Sequence, residues 1–242
     1  MTSSTFSTIK GIAHEGILQR APVARLIVNL ALWLHNRAYR LAGRYSACLE
    51  PDGLHPKHRL MKYHLWFMNH VQPEWRVLDI GCGIGALAQD LKTKCRTLVG
   101  IDLNSSNIVE ATRRYAAEGL SFQEADALTY QIKEPYDAFV LSNVLEHIQN
   151  RVEFLKDLYV NYPWEPKPIL LLRVPMLTRD WITLYKKERG VEWRLDATHA
   201  IEYTEELLRT ELTQAGLQIV EWEIRFGESY IVASEAPSPC LV

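Results

Sequence analysis

The residues most suited to chemistry lie where apolar runs end in glycines and carboxylates. In Val77-Leu78-Asp79-Ile80-Gly81-Cys82-Gly83-Ile84-Gly85, an apolar run leads into glycines at every second position. Residues without a Cβ let a backbone turn sharply while a ligand packs against it, and Cys82 and Gly85 belong to the same turn. A helix starting there would offer unpaired N–H groups to a carboxylate or another anion. Gly81, Gly83 and Ala86 also satisfy the dinucleotide pattern G-x-G-x-x-G/A, so the turn alone is ambiguous. Asp79 weighs against a diphosphate, because a carboxylate beside the turn repels phosphate and attracts an amino group. Asp102 ends the run TLVGID, where a carboxylate can accept hydrogen bonds from two ribose hydroxyls. Asp126, in FQEADAL, is placed to accept from an exocyclic amine. Three acids after three successive apolar runs describe a site for a nucleoside with a cationic amino-acid arm.

Such acids need strands to hold them in a row. The spacing predicts strands over 77–80, 97–101, 120–123, 138–141 and 169–173, with helices over 86–93, 105–117 and 144–160. Continuous apolar strands separated by helices argue for a parallel sheet covered on both faces. A helix over 204–215, capped by Thr204, stops at Gly216. The runs LQIVEWEIRF and SYIVASE then flank Gly227 and must pair antiparallel across so short a turn. Upstream, residues 1–10 read as a loose end. A long helix begins at Pro22, with Val23, Ile27, Leu30, Leu34, Ala38 and Leu41 at helical spacing. A break over 48–57 precedes a second helix over 58–71.

S-adenosylmethionine has the ligand shape inferred above. The segments VLDIGCGIG, VGIDLN, EADAL and YDAFVLSNVLEHI, in that order, resemble a class I S-adenosylmethionine-dependent methyltransferase of the ubiquinone-biosynthesis type. The resemblance is specific over 76–158 and looser to 234. It implies a doubly wound α/β fold, Rossmann-like, whose mainly parallel seven-stranded sheet has its last strand antiparallel, preceded by an N-terminal helical extension. Residues 1–72 would be that extension or lid, 73–242 the methyltransferase domain, and 174–203 an acceptor-side insertion. By position, Gly81 and Gly83 would approach the methionine carboxylate and Asp79 its amino end. Asp102 would hold the ribose, Leu103 would pack on adenine, and Asp126 with the Ala127 backbone would read the adenine edge. Ser142 and Asn143 would line the floor beneath the sulfonium. Turn formation and helix capping are the structural alternative for each acid taken singly.

Methyl transfer to oxygen usually needs a proton acceptor, and two histidines qualify by position. His147 follows the fourth predicted strand, and His199 lies in DATHAIEYT ahead of the last helix. Each has a structural alternative: His147 bonded to backbone at a helix start, His199 tying down the loop before Thr204. The insertion carries Trp181, Tyr185 and Trp193 among Arg179, Lys186, Lys187, Arg189 and Arg194, which suits a sugar, an aromatic ring or an anion, or simply a solvated helix. His55, His58, His64 and His70 lack metal-ligand spacing, so no metal is expected. HPKHRLMKYHLWF instead reads as a helix over the cofactor, with Tyr63 or His64 near the methionine end.

The composition, 48% hydrophobic and 23% charged, is globular. A formal charge of −2 disfavours a general nucleic-acid binder. Cys48, Cys82, Cys95 and Cys240 form no disulfide framework, and no spanning run or secretory signal is seen, which fits a cytoplasmic chain. The acceptor is expected to be a small molecule, glycan or lipid precursor, with a catalytically silent cofactor-binding subunit as the alternative. The charge is uneven: residues 1–50 carry six basic and two acidic side chains. The apolar, Arg-flanked stretch 20–45 fits a lid or homodimer helix, or a peripheral contact with anionic lipid.

Overall fold

The computed structural model describes residues 21–237. Residues 1–10, Arg20 and Cys240, on which some of the expectations above fall, lie outside the described residues.

The chain forms two compact units, one of residues up to 56 with 182–193, the other of 57–181 with the remainder. In the first, helix α1 (Ala21–Ser46) buries Leu32. Asn36 Nδ2 donates to Glu192 O at 2.7 Å, and Arg189 reaches Asn29 Oδ1 at 3.4 Å.

The second unit holds the sheet. The expected helix over 58–71 breaks at Lys62, whose φ of 52° is left-handed, giving α2 (Lys57–Met61) and α3 (Tyr63–Asn69). The first half of the sheet alternates strictly: β1 (Arg76–Ile80), α4 (Ala86–Lys92), β2 (Thr97–Asp102), α5 (Ser105–Tyr115) and β3 (Leu120–Glu124). Then come β4 (Ala138–Ser142), α6 (Arg151–Val160) and β5 (Ile169–Pro175); α7 (Trp181–Glu188) belongs, past Trp181, to the first unit, and α8 (Glu205–Gln214), β6 (Leu217–Arg225) and β7 (Glu228–Glu235) complete the second. The seven strands lie in the order β3-β2-β1-β4-β5-β7-β6, and the last is antiparallel, as the resemblance implied. β1 pairs parallel with both β2 and β4, whereas β7 is antiparallel to β5 and β6. Phe226 and Gly227, both at positive φ, make the two-residue turn between β6 and β7.

The apolar runs explain this order. β4 and β5 are buried almost throughout, because helices cover both faces. Tyr63, Trp66 and Phe67 of α3 pack with Leu87 and Leu91 of α4 on one face. Phe154 and Leu155 of α6, with Leu208 and Leu212 of α8, pack on the other. Each such side chain contributes about 1.5–3 kcal/mol through burial. Asn104 caps α5 by accepting from Ser106 N at 2.9 Å, and Thr204 caps α8 from Leu207 N at 3.2 Å, the role its position predicts.

One expected helix is shortened. Residues 144–160 form a 3-10 turn at Leu145–His147 and helix only from Arg151. The Glu146 carbonyl accepts from Ala200 N at 2.8 Å and Ile201 N at 3.3 Å, so it serves the 196–203 loop in place of a helical turn.

The succession turns back between β1 and β4. Beyond their carboxyl ends a doubly wound sheet opens a crevice.

Candidate functional site

The glycine turn closes one wall of that crevice. Gly81 N and Cys82 N both donate to Ile101 O, at 2.7 and 2.9 Å, drawing the turn against β2. Gly81, Gly83 and Gly85 all have positive φ, but for different neighbours. A Cβ on Gly81 would strike Val144, and one on Gly85 would come within 2.8 Å of the Phe122 ring. Around Gly83 there is open space, so its bare backbone faces the crevice. Asp102 fastens the turn: Oδ2 accepts from Gly83 N at 2.9 Å, and Oδ1 from Asn104 N and Asn107 Nδ2 at 2.8 and 3.1 Å. A carboxylate offers about four acceptor positions, so one is left for a ligand hydroxyl.

Two hollows follow. The larger, about 540 Å³, is lined by Asp102, Leu103, Asp126, Ala127, Asn143 and His147, among others. The smaller, about 220 Å³, is lined by Asp79, Gly83, Cys82, Ser142, Tyr63 and Arg173, among others. Gly81 and Asn143 line both, so the hollows form one groove along the strand ends. Asp126 Oδ1 already accepts from Leu128 N at 2.9 Å, which orients the carboxylate. Gly85 lines neither hollow and serves packing behind the turn.

Asp79 is the electrostatic extreme of this groove. It is 1% exposed, and its Oδ2 has no hydrogen-bond partner. Burial first, and the Asp102 charge second, push its carboxyl up to about 8. An orphaned buried carboxyl beside an open glycine backbone fits an amino acid, with ammonium on one side and carboxylate on the other.

The two histidines meet although 51 residues separate His147 from Thr198, the neighbour of His199. Their rings stand edge to face with centroids 4.7 Å apart. His147 is exposed and lines the larger hollow, with Thr198 Oγ1 3.0 Å from its Nδ1. Burial first, and then His199, lower its pKa below 6.5. His199 is buried behind it, with Nδ1 3.2 Å from Glu202 Oε1 and Nε2 3.9 Å from Glu146 Oε1. Glu202 in turn pairs with Arg179. Glu146 is fully buried, neither carboxylate oxygen has a hydrogen-bond partner, and burial pushes it up to about 8. One ligand atom each from Glu146, His147 and His199 fall within 4.8 Å of one another, a donor set that could hold a divalent cation. From the sequence the two histidines are expected as proton acceptors or as loop and helix-start anchors, with no metal among them.

Comparison with known proteins decides the family. A profile described as a methyltransferase domain matches residues 33–222. The chain belongs to the methyltransferase domain family. The ubiquinone biosynthesis O-methyltransferase of Bradyrhizobium diazoefficiens is 29% identical over 145 residues, 57% of this chain and 55% of the relative. The Brucella anthropi protein of the same name is 28% identical over 166 residues, 64% of this chain and 63% of the relative. The chain thus spans only part of these relatives' length. Magnesium protoporphyrin IX methyltransferase from Synechocystis, solved with bound S-adenosylhomocysteine, superposes with a TM-score of 0.56 at 18% identity, covering 97% of this chain and 95% of that one. N-methyltransferase NodS from Bradyrhizobium japonicum, with the same ligand, gives 0.53 at 18%, covering 74% and 87%. These likenesses show the fold.

A buried cation that no motif singles out also stands in the smaller hollow. Arg173, at the carboxyl end of β5, is 2% exposed and lines the smaller hollow. Its Nε lies 3.2 Å from Glu228 Oε2 and 3.1 Å from Asn143 Oδ1, and its guanidinium sits 3.6 Å over the Tyr63 ring. Its Nη1 has no partner. The signal was present, since an arginine inside the apolar run ILLLRVP is out of place unless paired. At the same end, Tyr63 Oη lies 2.7 Å from His58 Nδ1, and His64 stands behind them, with Nδ1 2.6 Å from Asp90 Oδ2.

The methyltransferase domain should bind S-adenosylmethionine with a pH dependence set by Asp79. The carboxyl must ionise to pair with an ammonium, so affinity is expected to rise by up to about tenfold per unit between pH 6 and 8. Asp79→Asn should flatten that slope in calorimetric titrations. The ligand-free fold should respond oppositely. A carboxyl raised by burial contributes stability below its unfolded value of 3.8, and that contribution is lost as pH rises through about 8. Asp79→Asn should therefore raise the melting temperature at pH 8 while weakening the ligand.

Proposed function

We propose that this domain transfers the methyl group of S-adenosylmethionine to an oxygen of a small-molecule, glycan or lipid-precursor acceptor. The observation that carries the reading is the single groove with an ionisable carboxyl at each of three strand ends and His147 beside the nucleoside end. The named function of the curated relatives favours oxygen as the accepting atom.

The bound cofactor would supply an activated methyl on a sulfonium, so the bond from sulfur to carbon breaks with its electron pair left on sulfur. Asp79 and the Gly83 backbone hold the amino-acid end, Asp102 the ribose, and Asp126 with the Ala127 backbone the adenine edge. Leu103, 71% exposed, covers the base. Ser142 and Asn143 align the reacting carbon from below, and alignment is the main catalytic contribution a protein makes to such a displacement. The acceptor oxygen forms the new bond to carbon, and its proton passes to the neutral ring of His147. Thr198 orients that ring, and His199, braced by Glu202, packs behind it.

The test is a mass-spectrometric screen for singly methylated products over quinol, glycan and lipid acceptors, with S-adenosylhomocysteine measured in parallel. Both products are expected. Cofactor binding without turnover on any acceptor would sink this reading in favour of a silent binding subunit.

The two unpartnered oxygens of Glu146 favour a second reading, in which Glu146, His147 and His199 hold a divalent cation that polarises the acceptor oxygen. Turnover abolished by a chelator and restored by Mg²⁺ or Mn²⁺ supports the cation, and turnover indifferent to chelation supports His147 acting alone.

A further inference from the structure

Helix α1 carries a run of exposed apolar side chains. Leu26, Ile27, Leu30, Trp33, Leu34 and Leu41 are each between 46% and 70% exposed. At the angular step of an α-helix these six fall within an arc of about 120°. Leu32, on the opposite side, is buried, and its neighbours Asn29 and Asn36 are the ones that bond to residues 189 and 192. Single exposed leucines are ordinary, but five such side chains from Leu26 to Leu34, joined beyond Arg37 by Leu41, mark a contact surface.

Charge says what that contact is. Arg37 and Arg44 fall within the same arc and Arg40 lies just beside it, all in the C-terminal half of the helix, and the Arg37 guanidinium lies 5.1 Å over the Trp33 ring. No Asp or Glu occurs between Glu15 and Glu50. Among the described residues, the unit that contains α1 carries seven Lys and Arg against four Asp and Glu. The sheet unit carries 18 against 24. A second copy docked through this face would bring two sets of arginines together with no acid on either helix to pair them. The arginines also keep α1 from spanning a bilayer, and no helix among the described residues is long and apolar enough to cross one. An apolar stripe with a Trp, shared toward its C-terminal end with arginines whose long stems can reach outward, matches a helix lying in the plane of a lipid interface.

We infer that α1 is an interfacial anchor that lays its Leu26–Leu41 face into the surface of an anionic bilayer, with Arg37, Arg40 and Arg44 on the lipid phosphates. This rests on α1 alone, so it stands or falls apart from the methyl-transfer reading. An enzyme held at that surface would draw its acceptor from the membrane or its headgroup layer.

The experiment is co-sedimentation of the full chain with vesicles of equal parts phosphatidylcholine and phosphatidylglycerol, and with phosphatidylcholine alone. Binding to the anionic vesicles is expected to be at least about tenfold tighter, and to weaken with salt. Leu30→Glu with Leu34→Glu should abolish pelleting. Arg37→Gln with Arg40→Gln should weaken it about tenfold or more, and the melting temperature of both pairs should match the parent. Absence of pelleting with anionic vesicles overturns the inference, as does equal pelleting with both vesicle types or by the Leu30→Glu, Leu34→Glu pair. A dimer in light scattering that this pair dissociates, without vesicle binding, assigns the face to a second copy and overturns it too.

Discussion

Replacing His147 by Ala should lower kcat by about 10²–10⁴-fold, the usual contribution of a positioned proton acceptor. The ring lines the groove and is exposed to it, while Thr198 and His199 fix its orientation. Burial and His199 hold its pKa below 6.5, so the parent should keep the basic form at neutral pH and lose rate only as pH falls through that lowered value. Single-turnover rates across pH check this: the acid limb should vanish in the variant. A His147→Ala enzyme with unchanged rate and unchanged limb would move the proton acceptor elsewhere. His199→Ala should have a smaller effect on the limb, because that ring touches Glu202 and Glu146 and not the groove.

Arg173→Met should cost about 3–5 kcal/mol of folding stability, the usual consequence of stripping one partner from a buried ion pair. Glu228, 7% exposed, would lose its paired guanidinium, and Tyr63 would lose the cation over its ring. Urea unfolding of the ligand-free protein measures it. Adding Glu228→Gln should recover part of the loss by removing the stranded charge, as a double-mutant cycle reads directly. A single-variant loss under about 1 kcal/mol would mean that water reaches the pair.

The order of the strands and the groove acids were legible because both repeat. Each apolar run ends in a polar residue at the same edge, and Asp79, Asp102 and Asp126 needed only a parallel sheet to stand in a row. Thr204 announced its helix through capping chemistry that is local by nature. The helix over 144–160 misled because its amphipathic pattern ignores what the Glu146 carbonyl does with a loop 54 residues away. The same distance hid the Glu146, His147 and His199 group, since no periodicity reports on residues joined by a loop. Arg173 was visible as an anomaly in an apolar strand, but its partner on β7 depends on the antiparallel register of β5 with β7.

That Glu146 carbonyl has an evolutionary corollary. The main-chain amides of Ala200 and Ile201 hold the loop that carries His199, and two side chains of the preceding stretch join them: Arg194 donates to the His199 carbonyl at 2.9 Å, and Arg179 pairs with Glu202. Substitutions elsewhere in residues 174–195 leave those ties in place, so the rest of the stretch is free to vary while the paired rings stay in register.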